Sequence, residues 1–323
     1  METMNDDQQF FDEYGFPLTF PEEILSRMKE QMTISRETYD RIHNYFDAAS
    51  NLYARIPLRM LYKIYNSQNP PVSQEDFLDA AEIISHEQNF YTIVRPEVFH
   101  GDAAPSQPMD QELVAEHLYA VGEEDYYKLE AAQEGKPWYL PDRERFLAYA
   151  DSSYTKKTPQ LLELADALQR TQRKLHCPPM EIAEEIEMYL RMDSSLQSIV
   201  DESQRLGVRF QNQQEFREFL QLLLEVSHHT RRYSHRGHTP AELGLPRQSL
   251  EEVLQTVTFI MVDRKERGKG TKLAMQEVEE EFGFPVYSVV DVYDIIEYLE
   301  EDPANAENVT RIKNYLAVNG ANA

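Results

Sequence analysis

The sequence predicts a mainly α-helical protein, with a winged-helix-like N-terminal part and a small β-α-β-α-α appendage at the C-terminus. Apolar residues recur at helical spacing as far as about Leu245. The stretch GDAAPSQPMD has the composition of a linker and ends a first module near Ala104. A continuous β-branched and apolar run first appears at Thr256–Val262. We therefore predict three modules, at residues 1–104, 105–250 and 251–323.

The sequence of the first module predicts several helices, and a hairpin follows the last two. Apolar residues stand at helical spacing from Pro21 to Ala54. The sequence then predicts a helix over Leu58–Tyr65, a turn at Pro70-Pro71, a second helix capped by Ser73, and a short hairpin through Phe90–Phe99. Two helices and a two-stranded wing are the outline of a winged-helix module.

The charge of the second helix argues against a DNA-reading role. In a winged-helix module this helix enters a groove of DNA, yet here it carries acidic residues and no lysine or arginine. The whole chain has a formal net charge of -25, which repels phosphate backbones and anionic lipid. We therefore expect neither nucleic acid nor membrane as a partner, and we expect contact with protein. The acidic residues of the helix are Glu75, Asp76, Asp79 and Glu82.

The second module predicts further helices with recognisable ends. Helical periodicity runs over Met180–Met192, over Leu196–Leu206 with Gly207 in a C-cap position, and over Phe216–Val226. Asn212, with Glu215 three residues later, has the pattern of an N-terminal cap. The run Thr239-Pro240-Ala241-Glu242 repeats this start pattern, with proline at the first helical position.

The C-terminal module predicts strand, helix and strand. The strands are expected at Thr256–Val262 and Val286–Val290, with an amphipathic helix over Thr271–Phe282 between them and helices from Val292 and Ala304 after them. Two parallel strands need sheet neighbours and covered faces. We therefore expect self-association through the first strand, or docking of the appendage on the helical body.

Composition limits the chemistry and the location. Cys177 is the single cysteine, so intrachain disulfides and multi-cysteine zinc sites are excluded. The sequence starts METMNDDQQFFDEYG, which is acidic where a secretory signal is basic and then apolar. No apolar run approaches the roughly 20 residues of a membrane-spanning helix. We expect a cytoplasmic protein without a cofactor.

A short basic segment is the first candidate site. Arg231, Arg232 and Arg236 form the concentrated basic patch of an otherwise acidic chain. They neutralise neighbouring acidic helix faces, or they bind an acidic partner peptide or a phosphate. A second candidate site is aromatic. Trp138 and Tyr139 could form a buried anchor or a platform for a ligand.

Four histidines near the arginines suggest a metal site. Imidazoles at helix-and-turn spacing can converge on a tetrahedral zinc ion. The alternative is a structural role, because a neutral histidine can also cap a helix end or lie at its C-terminal dipole. The histidines are His228, His229, His235 and His238.

The C-terminal segment resembles a known enzyme family. The loop DRKERGKG, the QEVE helix and the DIIEYLEE helix are similar, in order and spacing, to the end of bacterial orotate phosphoribosyltransferases, over about residues 257–320. The resemblance implies that Arg264 helps to hold orotate, and a guanidinium suits this role because it gives two parallel hydrogen bonds. The sequence has no strand followed by two acidic residues and a Thr/Gly-rich turn, which is the family's anion nest for ribose 5-phosphate. We therefore expect the chain alone to be inactive.

A second resemblance covers the middle of the chain. The segment HHTRRYSHRGHTPAEL is similar to the one that precedes the zinc-binding tail of bacterial SEC-C-motif proteins, and the likeness extends over about residues 50–245. The cysteine-rich tail itself is not in the sequence. Where the related pattern carries an amide pair, this chain has His228 and His229.

These observations predict a non-catalytic, cytoplasmic interaction or adaptor-type protein. One alternative is a fragment of orotate phosphoribosyltransferase that needs its missing part in trans. A second alternative is a metal-binding protein that uses the histidine cluster.

Overall fold

The computed structural model describes residues 10–101, 107–172, 175–210 and 212–257, together with the isolated residues 306, 309, 310 and 313. It confirms the predicted mainly helical fold. The described chain forms two compact units. Unit 1 contains the residues up to Tyr154 together with Arg231–His238, and unit 2 contains Thr155–Thr230 and the residues from Thr239 onward.

Unit 1 combines seven helices and a small sheet among its described residues. The helices are α1 (Glu22–Gln31), α2 (Arg36–Tyr53), α3 (Leu58–Gln68), α4 (Gln74–Ser85), α5 (Glu97–His100), α6 (Glu124–Gln133) and α7 (Arg143–Leu147), and the strands are β1 (Arg55–Pro57), β2 (Tyr91–Val94) and β3 (Glu112–Ala115).

The sheet is antiparallel, with strand order β1-β3-β2. Val114 of β3 lies opposite Arg55 on one side and opposite Thr92 on the other. From α2 to β3 the main elements follow the order helix, strand, helix, helix, strand, strand. Whether this order makes a winged-helix module stays a prediction.

The predicted hairpin through Phe90–Phe99 is wrong. The structure has one strand there, β2, and α5 follows it directly after Pro96. Proline has no N–H to give to a sheet ladder, so it ends the strand. The partner of β2 is β3, which lies beyond the linker-like stretch. The expected boundary near Ala104 therefore falls between two paired strands of unit 1.

Helix ends in unit 1 follow the side-chain chemistry of the sequence. The hydroxyl of Ser73 accepts a hydrogen bond from the N–H of Asp76, as its predicted role as a cap requires. Ser35 caps α2 in the same way through the N–H of Thr38. The apolar faces of these helices then pack into one core, in which Phe46 and Phe77 are fully buried. Burial of such large rings supplies much of the driving force for folding.

The regular elements of unit 2 are all helices among its described residues. Its helices are α8 (Pro159–Thr171), α9 (Pro179–Arg191), α10 (Leu196–Arg205), α11 (Gln213–His229) and α12 (Leu250–Val253). The predicted helices around Met180–Met192, Leu196–Leu206 and Phe216–Val226 are confirmed as α9, α10 and α11. Gly207 has φ of +96°, a left-handed conformation that suits glycine after a helix end.

The predicted helix start at Thr239 is wrong. The side chains of Thr239 and Glu242 do form the reciprocal bonds of a capping box, since each accepts a hydrogen bond from the other's N–H. The chain then makes turns instead of a helix, and Gly244 has φ of +66°. The local cap chemistry is present, but the helix does not continue past it.

Most of the C-terminal appendage lies outside the described residues. This applies to the predicted strand up to Val262, apart from Val257, and to the predicted helix and strand after it. Val257 is buried in the apolar core of unit 2, together with Val253 of α12.

Candidate functional site

The arginine segment, which we define as Arg231–His238, forms a tight loop in unit 1. Its middle is a 3-10 turn at Tyr233–His235, and the N–H of Arg232 donates to the carbonyl of His238 at 3.1 Å. Arg236 follows the turn with φ of +48°, a conformation that costs a non-glycine residue free energy. The loop therefore has a defined shape, with its two ends close together.

The loop is held by a set of residues that we call the cradle, namely Tyr53, Gln133, Lys136, Trp138 and Tyr139. Three cradle groups donate hydrogen bonds to carbonyl oxygens of the loop. The Gln133 amide donates to Tyr233 at 3.0 Å, the Lys136 ammonium to Ser234 at 2.9 Å, and the Tyr139 N–H to Arg236 at 3.0 Å. All three acceptors are backbone carbonyl oxygens, so these contacts fix the course of the main chain in the segment.

Two aromatic rings of the cradle receive the arginine side chains. The guanidinium carbon of Arg231 lies 3.3 Å from the centroid of the Tyr139 ring, and that of Arg236 lies 4.6 Å from the Trp138 ring. A planar guanidinium stacks well on an aromatic face. Arg231 also donates to the carbonyl of Gly237 at 2.8 Å, and only 7% of this residue is exposed. Arg236 donates to the carbonyl of Lys136.

Glycine is required at position 237. Its φ is +79°, and a Cβ placed there would lie 2.9 Å from Cε1 of Tyr53. Tyr53 is itself fully buried and donates its hydroxyl to the carbonyl of Tyr139 at 2.6 Å. The cradle therefore closes around a residue without a side chain.

The surroundings of Arg236 shift the pKa of its guanidinium group. Burial lowers the pKa of Arg236, and the positive charge of Arg55 lowers it further. Arg55 lies in an ion cluster, where its guanidinium makes two hydrogen bonds to Glu112 and one to Glu130. Burial also raises the pKa of the Tyr53 hydroxyl, so this group stays protonated.

The arrangement holds a loop of the same chain by its backbone and by its arginine side chains. Its hydrogen bonds end on backbone carbonyls, its rings lie under guanidinium groups, and its tyrosine hydroxyl is a fixed donor. Backbone hydrogen bonds and stacked guanidinium groups together fix this loop in unit 1.

The three arginines of the predicted patch differ in how far they are buried. Arg231 is buried against Tyr139, whereas Arg232 and Arg236 are partly exposed. Binding of an acidic peptide or a phosphate by these arginines stays a prediction. Trp138 and Tyr139 are half-buried and pack against the core of unit 1, and their rings lie under Arg236 and Arg231 of the same chain. Their role as a platform for a ligand stays a prediction.

The four histidines lie in different surroundings. His228 and His229 end α11 in unit 2, where a ring nitrogen of His229 lies 2.9 Å from the carbonyl of Glu225. His235 and His238 belong to the arginine segment of unit 1, and the His238 ring lies 5.5 Å from the Tyr139 ring. Across the residues that the structure describes, no three His, Cys, Asp or Glu side chains form a group suited to a metal ion. The metal hypothesis stays a prediction without geometric support.

A separate network surrounds His43 in unit 1. Its two ring nitrogens lie 3.0 Å from Asp47 and 2.7 Å from Glu87, and the hydroxyl of Tyr39 also donates to Glu87 at 2.7 Å. Burial alone would lower the pKa of His43, but the two carboxylates outweigh it and raise the pKa to about 9. The imidazole is therefore a cation at neutral pH and stabilises the fold as a salt-bridge partner.

Comparison with known proteins gives matches to bacterial orotate phosphoribosyltransferases. The chain is 48% identical over 62 residues to an orotate phosphoribosyltransferase of Cellvibrio japonicus, which is 19% of this chain and 29% of that protein. It is 44% identical over 62 residues to the enzyme of Vibrio cholerae, and 44% identical over 59 residues to that of Edwardsiella ictaluri. The chain therefore spans less than a third of the length of these relatives.

Other comparisons gave no match. No family model matches the chain, and no solved structure matches it. The resemblance to SEC-C-motif proteins therefore stays a prediction. Arg264, which the enzyme resemblance assigns to orotate, lies outside the described residues. Among the helices in the described part of the chain, none has the length and apolar character that crossing a membrane demands.

The cradle residues Tyr53, Gln133 and Lys136 were not found from the sequence. Each is separated from its partner in the arginine segment by about a hundred residues or more, and none stands in a pattern that predicts such a contact. The proximity of tryptophan, tyrosine and prolines near position 138 was the one signal in the sequence.

Proposed function

We propose that this chain is a non-catalytic, cytoplasmic interaction protein of the adaptor type, with protein-binding helical units and a C-terminus similar to orotate phosphoribosyltransferase. The observation that carries the proposal is the set of hydrogen bonds and stacking contacts between the cradle and the arginine segment. Gln133 binds a backbone carbonyl that lies 100 residues further along the chain, and two rings stack on arginines of the same loop. Hydrogen bonds to backbone carbonyls and stacking on arginine also contribute where proteins bind peptides.

Charge supports a basic protein partner. Acidic residues number 57 against 32 lysines and arginines, so the chain attracts cationic surfaces and repels nucleic acid. In α4 the acidic residues Glu75, Asp79 and Glu82 are exposed on one helix face. The helix and strand order of unit 1 supports a winged-helix-like module that uses this helix for protein contact.

The test of this proposal is isolation of the full chain from its own cells. We expect a second protein to co-purify in fixed stoichiometry, measured by light scattering and mass spectrometry. Trp138→Leu should weaken the association, because the substitution removes one stacking ring, while Leu245→Ala, an exposed apolar control in unit 2, should leave it intact. A chain that is always isolated without a partner protein would contradict the proposal.

Self-association through the C-terminal strand is the related proposal for the appendage. The sequence TVTFIMV is apolar on both faces and so fits the inside of a sheet. Ile260→Lys should dissociate a strand-mediated dimer into monomers, as measured by light scattering. If the wild-type chain is already monomeric, limited proteolysis around Gly268–Gly270 tests docking of the appendage: a rate equal to that of an unfolded peptide excludes it.

The second candidate function is that of an orotate phosphoribosyltransferase fragment. It is favoured by the 48% identity over 62 residues, and Arg264 would then contact the pyrimidine ligand. Such a fragment needs the phosphate-binding part of the enzyme from another chain. Activity that appears only on mixing with that part would favour this candidate over the adaptor.

A further inference from the structure

We infer that one end of the sheet in unit 1 is the docking surface for a partner segment that carries both apolar side chains and lysine or arginine. The surface, which we call the sheet-end surface, consists of Tyr14, Phe90 and Val121. This inference rests on the proposed interaction function and deepens it, because it names the surface and the chemistry of the partner.

Phe90 and Val121 lie on adjacent stretches of main chain at this end of the sheet. Strand β2 begins directly after Phe90 and β3 ends directly before Glu116, and the N–H of Glu116 donates to the carbonyl of Phe90 at 2.9 Å. The chain then turns, since the N–H of Ala120 donates to the carbonyl of Glu116 at 3.0 Å, and Val121 follows this turn. The two apolar residues therefore come from the two chain segments that leave the paired ends of β2 and β3.

Tyr14 is brought to the same end of the sheet by Phe16. The Phe16 ring stacks on the ring of Tyr119, with 5.1 Å between the centroids, and Tyr119 belongs to the turn that precedes Val121. The carboxylate of Asp12 accepts hydrogen bonds from the N–H groups of Tyr14 and Phe16, both at 2.9 Å. These contacts fix the main chain at Tyr14 in the free protein, which lowers the entropy cost of binding a partner there.

The three side chains of the sheet-end surface are strongly exposed for residues of their type. Tyr14 is 71% exposed, Phe90 is 83% exposed, and Val121 is fully exposed. A single exposed apolar residue is ordinary on a protein surface, whereas a group of them marks a place of interaction. A partner that covers these side chains gains free energy because it removes apolar surface from water.

Carboxylates surround the sheet-end surface. Six exposed acidic residues stand within four positions of one of its members in the sequence or, for one of them, are hydrogen-bonded to Phe90. Burial lowers the pKa of the neighbouring His117, so this imidazole adds no positive charge at neutral pH. A partner that covers the surface therefore needs cationic side chains around its apolar ones. The acidic residues are Asp12, Glu13, Glu116, Glu123, Glu124 and Asp125.

Two cations in the same region leave the negative charge in excess. The ammonium of Lys128 pairs with Glu124 and Asp125 on the surface of α6. The guanidinium of Arg95 lies over the ring of Phe11, 5.2 Å from its centroid. Six carboxylates thus stand against two cations.

Charge also decides between a basic segment and other occupants. A second copy of this chain brings the same formal charge of -25, so the two copies repel each other. Nucleic acid and anionic lipid are repelled for the same reason. A segment rich in lysine or arginine is attracted from solution, and its apolar side chains then cover the sheet-end surface.

The experiment uses the full chain and a labelled synthetic peptide of leucine and lysine, placed at the spacing of an amphipathic helix. Binding is measured by fluorescence anisotropy. Phe90→Ser combined with Val121→Ser should weaken binding about tenfold or more, because this variant removes the two most exposed apolar side chains of the surface. Leu162→Ser combined with Met188→Ser changes two exposed apolar residues of unit 2 and should bind the peptide like the wild type.

A second pair of variants tests the charge. Glu116→Lys combined with Glu123→Lys should weaken binding several-fold, and added salt should weaken binding by the wild type. The control is Glu75→Lys combined with Asp79→Lys, which changes the net charge by the same amount but lies on α4. This control should lose much less binding, because it leaves the surroundings of the sheet-end surface acidic. A peptide of lysine and serine should bind weakly, since it has no apolar side chains.

The substitutions lie at exposed positions, and circular dichroism checks that each variant is folded. The inference is overturned if the folded Phe90 and Val121 variant binds the peptide as tightly as the wild type. It is also overturned if the α4 variant loses as much binding as the Glu116 and Glu123 variant, or if light scattering shows that the Phe90 and Val121 substitutions dissociate a dimer. A protein that co-purifies with the chain while the leucine and lysine peptide fails to bind leaves the adaptor function standing and removes only this class of partner.

Discussion

At the scale of single residues, Arg231 and Arg236 stack on the rings of Tyr139 and Trp138, which stand far earlier in the sequence. Arg231 and Arg236 stand out as basic residues in an acidic chain, so they were natural candidates for a site. The rings beneath them and the amide of Gln133 come from another part of the chain. Composition predicts which residues are unusual, whereas their partners depend on tertiary packing.

The first prediction concerns Gln133, which is fully buried and donates to two carbonyls, those of Tyr53 and Tyr233, at 3.0 Å each. Gln133→Leu should destabilise unit 1 by about 2 kcal/mol, because it leaves buried carbonyls without this donor. Urea unfolding followed by Trp138 emission measures the change. Gln74→Leu, at an exposed position of α4, is the control and should change little. Equal stability of the Gln133 variant and the wild type would show that the amide does not hold the segment.

The second prediction concerns the pH dependence that His43 confers. Its pKa is raised from 6.5 to about 9, so the stability it contributes is complete below 6.5 and is lost as the pH rises through about 9. His43→Asn should remove this loss of stability between pH 6.5 and about pH 9. Thermal unfolding at a series of pH values measures it. The control is His117→Asn: burial lowers the pKa of His117, so that variant should keep the loss at high pH. An unchanged pH dependence in the His43 variant would refute the assignment.

At the scale of elements, helix existence and helix starts were largely predictable, because caps and periodicity are local. Ser73 and Asn212 cap α4 and α11 as the sequence indicates. The errors occurred where a local pattern was incomplete. Thr239 and Glu242 form a capping box without a following helix, and β2 pairs with a strand beyond the linker-like stretch instead of forming a local hairpin. Strand pairing is non-local, so the residues of β2, which are all buried, could not identify its partner.

The third prediction tests a cap directly. Asn212 accepts a hydrogen bond from the N–H of Glu215 at 3.0 Å, and α11 places Phe216 and Leu220 in the core of unit 2. Asn212→Ala should destabilise unit 2 by about 1 kcal/mol, since an N–H at the start of α11 loses its acceptor. The change is measured by thermal unfolding followed by circular dichroism. Gln214→Ala lies in the same helix turn, where its amide bonds exposed Glu218, and should cost much less. Similar losses for both variants would argue against a specific role of the cap.

At the scale of the whole molecule, the division of the chain differs from the linear modules that the sequence suggests. Unit 1 takes residues up to Tyr154 and then Arg231–His238, so it is discontinuous in sequence. Composition and linkers mark boundaries along a chain, but they cannot show that a later segment returns to an earlier unit. The apolar residue Tyr233 of that segment packs in a cluster with Val114 and Tyr126, and this burial explains the return.

The fourth prediction concerns the activity of the whole chain. The matched region is 29% of an orotate phosphoribosyltransferase, and the sequence has no Thr/Gly-rich phosphate turn after a strand. Backbone N–H groups of such a turn bind the ribose 5-phosphate, so without it the reacting carbon of phosphoribosyl pyrophosphate is not positioned. We expect no formation of nucleotide from orotate and phosphoribosyl pyrophosphate, measured by the loss of orotate absorbance. An intact bacterial enzyme is the positive control, and turnover above a blank that disappears in Arg264→Ala would contradict the expectation. A mixture with the missing part of the enzyme separates the two candidate functions, because a complementing fragment gains activity there whereas an adaptor does not.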